Sequence, residues 1–242
     1  MEKLAEMNWQ QAEENLKNKT VILPIGAVEA HGYHLPLGTD NYISEEIAGR
    51  VAERLDAPIL PLLPFGQVWS LRNFPGSISL EDQTIISIIE DIAKSLERHE
   101  VKLLIIINGH FGNKTALKKA ERAVQEKYNL KVLRFTHPGL KELEQKYIET
   151  QRVHPSYLHA EEIETSMMLK INSELVDMSK AEADRPEIPD YFGSYSVPWD
   201  QITAKAVLGD PSPATADKGE QLIAGITAKI VEIVNNFKKE VD

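Results

Sequence analysis

The sequence predicts an α/β fold with three α/β/α layers and a mostly parallel central sheet. Three observations carry this. Short strand-like runs recur at residues 20–26, 58–63, 101–107 and 131–136, the first three mostly apolar. Most of the stretches between them repeat apolar residues at helical spacing. Alternating strand and helix favours parallel pairing with helices on both faces of the sheet.

The elements follow in order. Residues 8–18 predict an opening helix, with Asn8 as cap and Gln11 at the capping-box position. Residues 20–26 (Thr-Val-Ile-Leu-Pro-Ile-Gly) read as a buried strand. Residues 27–40 are a loop. Residues 41–55 are helical, with Ile43, Ile47, Val51 and Leu55 on one stripe. Residues 58–63 predict a second strand. Ser79 and Asp82 form a capping-box pattern opening a helix with stripe Ile85, Ile88, Ile89, Ile92 and Leu96. Residues 101–107 are the clearest buried strand. A tight turn at 108–113 follows, then a helix marked by Leu117, Ala120 and Val124, then a strand at 131–136. Residues 160–171 look helical. Residues 178–213 carry little periodicity. Thr215 caps a last helix with stripe Leu222, Ile226, Ile230, Ile233 and Phe237. No repeat or linker interrupts the chain, so residues 1–242 are read as one domain.

Bulk composition narrows the function. The net charge is −10, which disfavours nucleic acid as a partner. There is no cysteine, so disulfides, thiolate metal sites and catalytic thiols are excluded. The N-terminal residues carry charges throughout and lack the apolar core of a signal peptide. No stretch approaches the ~20 apolar residues of a membrane span. A cytoplasmic protein with no membrane partner is expected.

In open α/β sheets, ligands bind beyond the carboxyl ends of the strands. Two loops leave buried strands directly. One carries Glu29, His31, His34 and Asp40; the other carries His110. A third cluster, His159, Glu161, Glu162 and Glu164, opens a helix. Four of the seven histidines fall in these three places. Imidazole and carboxylate together suit borderline divalent cations. Glu29 and His31, two apart, project to one side of an extended segment. Asp40 could bridge two ions, as two-metal hydrolases require. Each residue also has a bland reading: Asp40 as the helix cap, His110 as a turn residue, Glu164 as a solvated helix residue. His137 and His154, beside prolines, read as loop residues, and His99 as the end of a helix.

At these residues the chain resembles the creatininase family. The match runs through Pro24-Ile25-Gly26-Ala27-Val28-Glu29-Ala30-His31-Gly32-Tyr33-His34-Leu35-Pro36-Leu37-Gly38-Thr39-Asp40. It continues through Phe74 to Leu80, Asn108-Gly109-His110 with Asn113, and His159-Ala160 with Glu164-Thr165-Ser166. Gly209-Asp210-Pro211 with Ala214-Thr215-Ala216 is a weaker fifth block. The resemblance implies a creatininase-like fold and an amidohydrolase that cleaves a cyclic amide or formamide with a hydroxide between two divalent ions. It implies Glu29, His31, Asp40, His110 and Glu164 as metal ligands, with Asp40 bridging. Glu164 stands in for a glutamate that creatininase carries where this chain has Gly112. His159 is expected to donate a proton to the leaving nitrogen, with Glu164 also in the catalytic set. His34, Ser77 and Asn113 are expected to bind substrate or support the site. Zinc is the first expectation for the metal, with manganese and iron also accommodated. The partner is a small-molecule amide, and relatives point to a homo-oligomer, a hexamer.

Two features of the resemblance bear on substrate. Creatininase closes its pocket with tryptophans between its Asn-Gly-His and Glu-Thr-Ser blocks, and here Trp9, Trp69 and Trp199 all lie outside that interval. Glu161 replaces a glycine usual in the family. Sugar- or lactone-ring opening on the same site, or a metal-binding scaffold without catalysis, are the alternatives.

Overall fold

The computed structural model describes residues 2–241. Among them, three strands form an all-parallel sheet in the order β1-β2-β3: β1 Thr20–Ile25, β2 Leu103–Asn108 and β3 Lys131–Phe135. Helices cover both faces: α1 Trp9–Leu16, α2 Thr39–Leu55, α3 Asp82–Arg98, α4 Lys114–Lys127, α5 Leu140–Tyr147, α6 Glu162–Asn172 and α7 Ala216–Val241. This is the predicted three-layer α/β/α arrangement.

Strand alternation divides the core. Leu103, Ile105 and Ile107 pack with α2, α6 and α7. Leu104 and Ile106 pack with α1, α3 and α4. Every residue of β2 is therefore buried, which is why it reads as an unbroken apolar run.

The expected strand at 58–63 becomes a flank of β1 instead. Ile22 donates to the Pro58 carbonyl (3.0 Å), Leu60 to Ile22 (2.8 Å) and Leu63 to Pro24 (3.0 Å). Pro58, Pro61 and Pro64 lack the N–H needed for a regular ladder, so only isolated bridges form.

Other boundaries also move. α2 begins at Thr39, with Gly38 as its cap, so Asp40 sits inside the first turn. The Ser79–Asp82 capping box does not form. Glu81 is the cap residue of α3, and Ser79 Oγ instead accepts from Val68 N–H (2.9 Å). The capping box of α1 and the Thr215 cap of α7 form as expected. The helix α5 has no counterpart in the sequence reading.

Connectivity creates the site. After β1 the chain crosses through α2 to the flank at 58–63, on the outer side of β1. After β2 it crosses the other face through α4 to β3, on the outer side of β2. The two strand ends thus feed opposite directions and leave a crevice between them. Gly109 lets this crevice close: a Cβ there would lie 2.2 Å from the Asp40 carbonyl oxygen. Gly109→Ala is therefore expected to push the first turn of α2 off the end of β2 and to destabilise the fold by about 1–3 kcal/mol, the usual cost of overpacking. Urea unfolding checks this; an unchanged midpoint would contradict the close packing.

Candidate metal centre

Local structure fixes each side chain before the site is assembled. The loop after β1 is clamped along its length. Glu29 N–H donates to Leu37 O (3.0 Å), Ala30 N–H to Ser77 Oγ (3.1 Å) and Gly32 N–H to Ala206 O (3.0 Å). The turn after β2 is held by amides. Asn113 Nδ2 donates to Gly26 O and to Asn108 Oδ1 (both 3.0 Å), while Gln67 N–H donates to Asn113 Oδ1 (2.8 Å). Glu164 lies in the first turn of α6, and its Oε2 accepts from Ala160 N–H at 2.6 Å.

These anchors bring Glu29, His31, Asp40, His110, His159 and Glu164 to one buried place. His110 Nδ1 lies 2.9 Å from Asp40 Oδ2 and 3.2 Å from Glu29 Oε1. His31 Nε2 lies 3.4 Å from Asp40 Oδ1 and 3.8 Å from Glu164 Oε2. Three compact ligand groups result: Glu29-His31-His159, and two that contain Asp40, Glu29-Asp40-His110 and His31-Asp40-Glu164. Asp40 offers a different oxygen to each of the latter two.

The hydrogen-bond network assigns the lone pairs. His31 Nδ1 contacts Glu29 O (3.1 Å), and His110 Nε2 contacts Gln67 O (2.7 Å). A carbonyl only accepts, so each of these nitrogens carries the proton and the other nitrogen faces inward. His31 Nε2 and Asp40 Oδ2 are buried without a hydrogen-bond partner. Burial alone would make charged histidines costly here. The surrounding carboxylates, Asp40 foremost for His31 and Glu29 for His110, outweigh it. They raise His31 to about 9 and His110 well above its usual value. Burial lifts Glu164 to about 7 even against the pull of His31. Three carboxylates packed this closely demand positive charge, and the donors fit divalent cations.

Gly112 is explained by the same contacts. A Cβ there would lie 2.3 Å from both Gln67 O and His110 Nε2. No side chain fits without breaking the bond that orients His110. Glu164 places its carboxylate beside His31 from α6 instead.

His159 completes the inner wall. Its Nε2 donates to Ala30 O (2.7 Å), and its Nδ1 lies 3.7 Å from Glu29 Oε1. Burial, followed by the nearby His31, holds its pKa well below the usual histidine value.

A cavity of about 120 Å³ opens onto this cluster, walled by Val68, Leu71, Phe111, Tyr157 and Trp199 on its apolar side. Trp199 stands edge-on to His159, with ring centroids 5.5 Å apart. The sequence reading missed Tyr157 and Trp199, which come from segments without periodicity. Of the two roles expected for His34, Ser77 and Asn113, binding substrate or supporting the site, their positions fit the second, since none of the three lines the cavity. His34 Nε2 bonds Thr165 Oγ1 (2.9 Å), Ser77 holds Ala30, and Asn113 ties the strand ends together. They build the wall from behind.

Comparison with known proteins agrees with this geometry. The family described as creatininase (creatinine amidohydrolase) matches residues 5–234. Creatinine amidohydrolase of Pseudomonas putida is 28% identical, covering 91% of each chain. The mycofactocin precursor peptide peptidase of Mycolicibacterium smegmatis is 28% identical, covering 84% of this chain and 79% of its own. A formylamino-pyrimidinone 5'-monophosphate deformylase of Methanococcus voltae is 26% identical, covering 87% of this chain and 86% of its own. Among solved structures, a Glu-to-Gln mutant of creatininase complexed with creatine superposes with a TM-score of 0.84 at 26% identity, covering 97% of both chains. A Zn-Zn form of such a mutant gives 0.85 at 25% identity, again covering 97% of both. The chain belongs to the creatininase family of metal-dependent amidohydrolases.

Proposed function

We propose that this chain hydrolyses a non-peptide C–N bond, in a cyclic amide or a formamide, at a centre holding two divalent ions. The observation that carries the reading is Asp40, whose two oxygens serve two separate three-residue ligand groups. Glu29, Asp40 and His110 would hold one ion; His31, Asp40 and Glu164 the other. Such ions, when bound, would polarise a carbonyl and lower the pKa of a bound water toward ~7. Zinc suits these nitrogen and oxygen donors, as do manganese and iron.

The protein's own residues do the rest. His159 is neutral at rest, with Nδ1 as its free acceptor. It takes a proton from the attacking water at Nδ1 and returns it to the leaving nitrogen. This refines the expected donor role: His159 acts first as base, then as acid. Glu164, anchored by Ala160 N–H, keeps its carboxylate aimed at His31. Val68, Leu71 and Trp199 exclude bulk water. The small, walled cavity fits a compact group at the scissile bond.

The setting of the molecule is also proposed. No helix among the described residues is long and apolar enough to cross a membrane, and we take the protein as cytoplasmic. Leu37, Tyr42, Phe65 and Ile78 are exposed on segments around the site loops, a surface suited to a homo-oligomer such as a hexamer.

A panel of formamides, cyclic amides, lactones and short peptides tests the reading. We expect formate or ring-opened acid from the amides, lost on chelation and restored by zinc or manganese. Turnover confined to lactones or peptides would overturn it.

A further inference from the structure

The reaction cavity has a neighbour. A second chamber of about 520 Å³ shares Gln67, Ser70, Tyr157 and Trp199 with it. The chamber is much the larger of the two. Its further wall is residues 192–197 together with Trp69.

This wall is built from fixed parts. Phe192 N–H donates to Pro189 O (2.8 Å) and Ser194 N–H to Tyr191 O (2.9 Å), closing a turn. Trp199 N–H donates to Ser70 O (2.8 Å), pinning the far end. Phe192 stands edge-on to Tyr157, with centroids 5.2 Å apart at 77°. Around that frame lie the hydroxyls of Ser70, Ser194 and Ser196.

The charge inventory is informative. No Lys, Arg, Asp or Glu lines the second chamber among the described residues. No Lys or Arg lines the reaction cavity either, and its charged wall is carboxylate. Arg72 lies 4.1 Å from the Trp69 ring but does not line the chamber. A phosphate or free carboxylate is normally met by guanidinium or ammonium groups. Here such a group would find none, in a chain of net charge −10. Aromatic faces with hydroxyls between them suit an uncharged ring instead.

We propose that the second chamber is the distal subsite for substrate and takes a neutral, hydroxylated or aromatic ring joined to the scissile amide, with no phosphate and no free carboxylate. This rests on the amidohydrolase reading above. It also separates this chain from the deformylase relative, whose substrate by name is a 5'-monophosphate.

The test is calorimetric titration of the full-length, zinc-loaded chain with a formamidopyrimidine nucleoside and with its 5'-monophosphate. We expect the nucleoside to bind at least tenfold more tightly. Ser196→Phe and Ser194→Phe, each checked for folding by circular dichroism, should each weaken nucleoside binding at least tenfold by filling the chamber. The proposal is overturned if the monophosphate binds as tightly, if neither compound binds, or if both folded variants bind like the parent. Turnover is read separately. Nucleoside binding with no amide cleaved anywhere in the panel would sink the amidohydrolase reading and leave the subsite standing.

Discussion

Replacing His159 by alanine should leave both metal ions in place and lower kcat by roughly 10²–10⁴, the range that general acid–base catalysis supplies. The expectation comes from two bonds and one environment. Nε2 is committed to Ala30 O at 2.7 Å, so only Nδ1 can exchange a proton with the cavity. Burial, then His31, holds the ring neutral, so Nδ1 rests as an acceptor. A competing role exists, because His159 also forms a compact group with Glu29 and His31. If His159 were a ligand, the alanine variant would lose metal along with activity. Elemental analysis beside steady-state kinetics separates the two. Retained metal with depressed kcat fits proton transfer; lost metal, or an unchanged kcat, removes His159 from that role.

Much of this was legible in the sequence, for physical reasons that differ by residue. β1 and β2 are buried on both faces, so their apolar runs are unbroken and their ends are easy to place. The ligand candidates in the loops after β1 and β2 followed from that placement. Glu164 followed only from resemblance, since a carboxylate in a first helical turn usually faces solvent. The errors share a cause. Residues 58–63 have strand-like side chains, but Pro58 and Pro61 within the stretch, and Pro64 just after it, remove backbone donors that a strand needs. Ser77 and Asn113 are polar residues in motif blocks, yet their partners lie 47 and 87 residues away, and those partners make them structural. His159 meets Ala30 across 129 residues, and Trp199 reaches the site from a stretch with no period at all. Of the aromatics that wall the cavity, Tyr157 comes from between the third and fourth motif blocks and Trp199 from beyond the fourth. Local pattern carries no record of such contacts. Helix α5 was missed because Gly139, in the left-handed region, starts it without a side-chain cap.

The central claim is that Asp40 is common to two metal positions. Its carboxylate is buried in the first turn of α2, where the helix dipole also favours negative charge. His31 first and His110 next hold its pKa below the ordinary carboxylate range despite burial. His110, by contrast, belongs to only one of the two Asp40-centred groups. The two residues therefore predict different metal counts when removed. The decisive measurement is elemental analysis of the zinc-loaded parent, Asp40→Ala and His110→Ala after identical dialysis, with folding verified by circular dichroism. A shared carboxylate predicts about two ions per chain in the parent, about one in His110→Ala and close to none in Asp40→Ala. An Asp40→Ala chain that still holds one tightly bound ion would contradict the account.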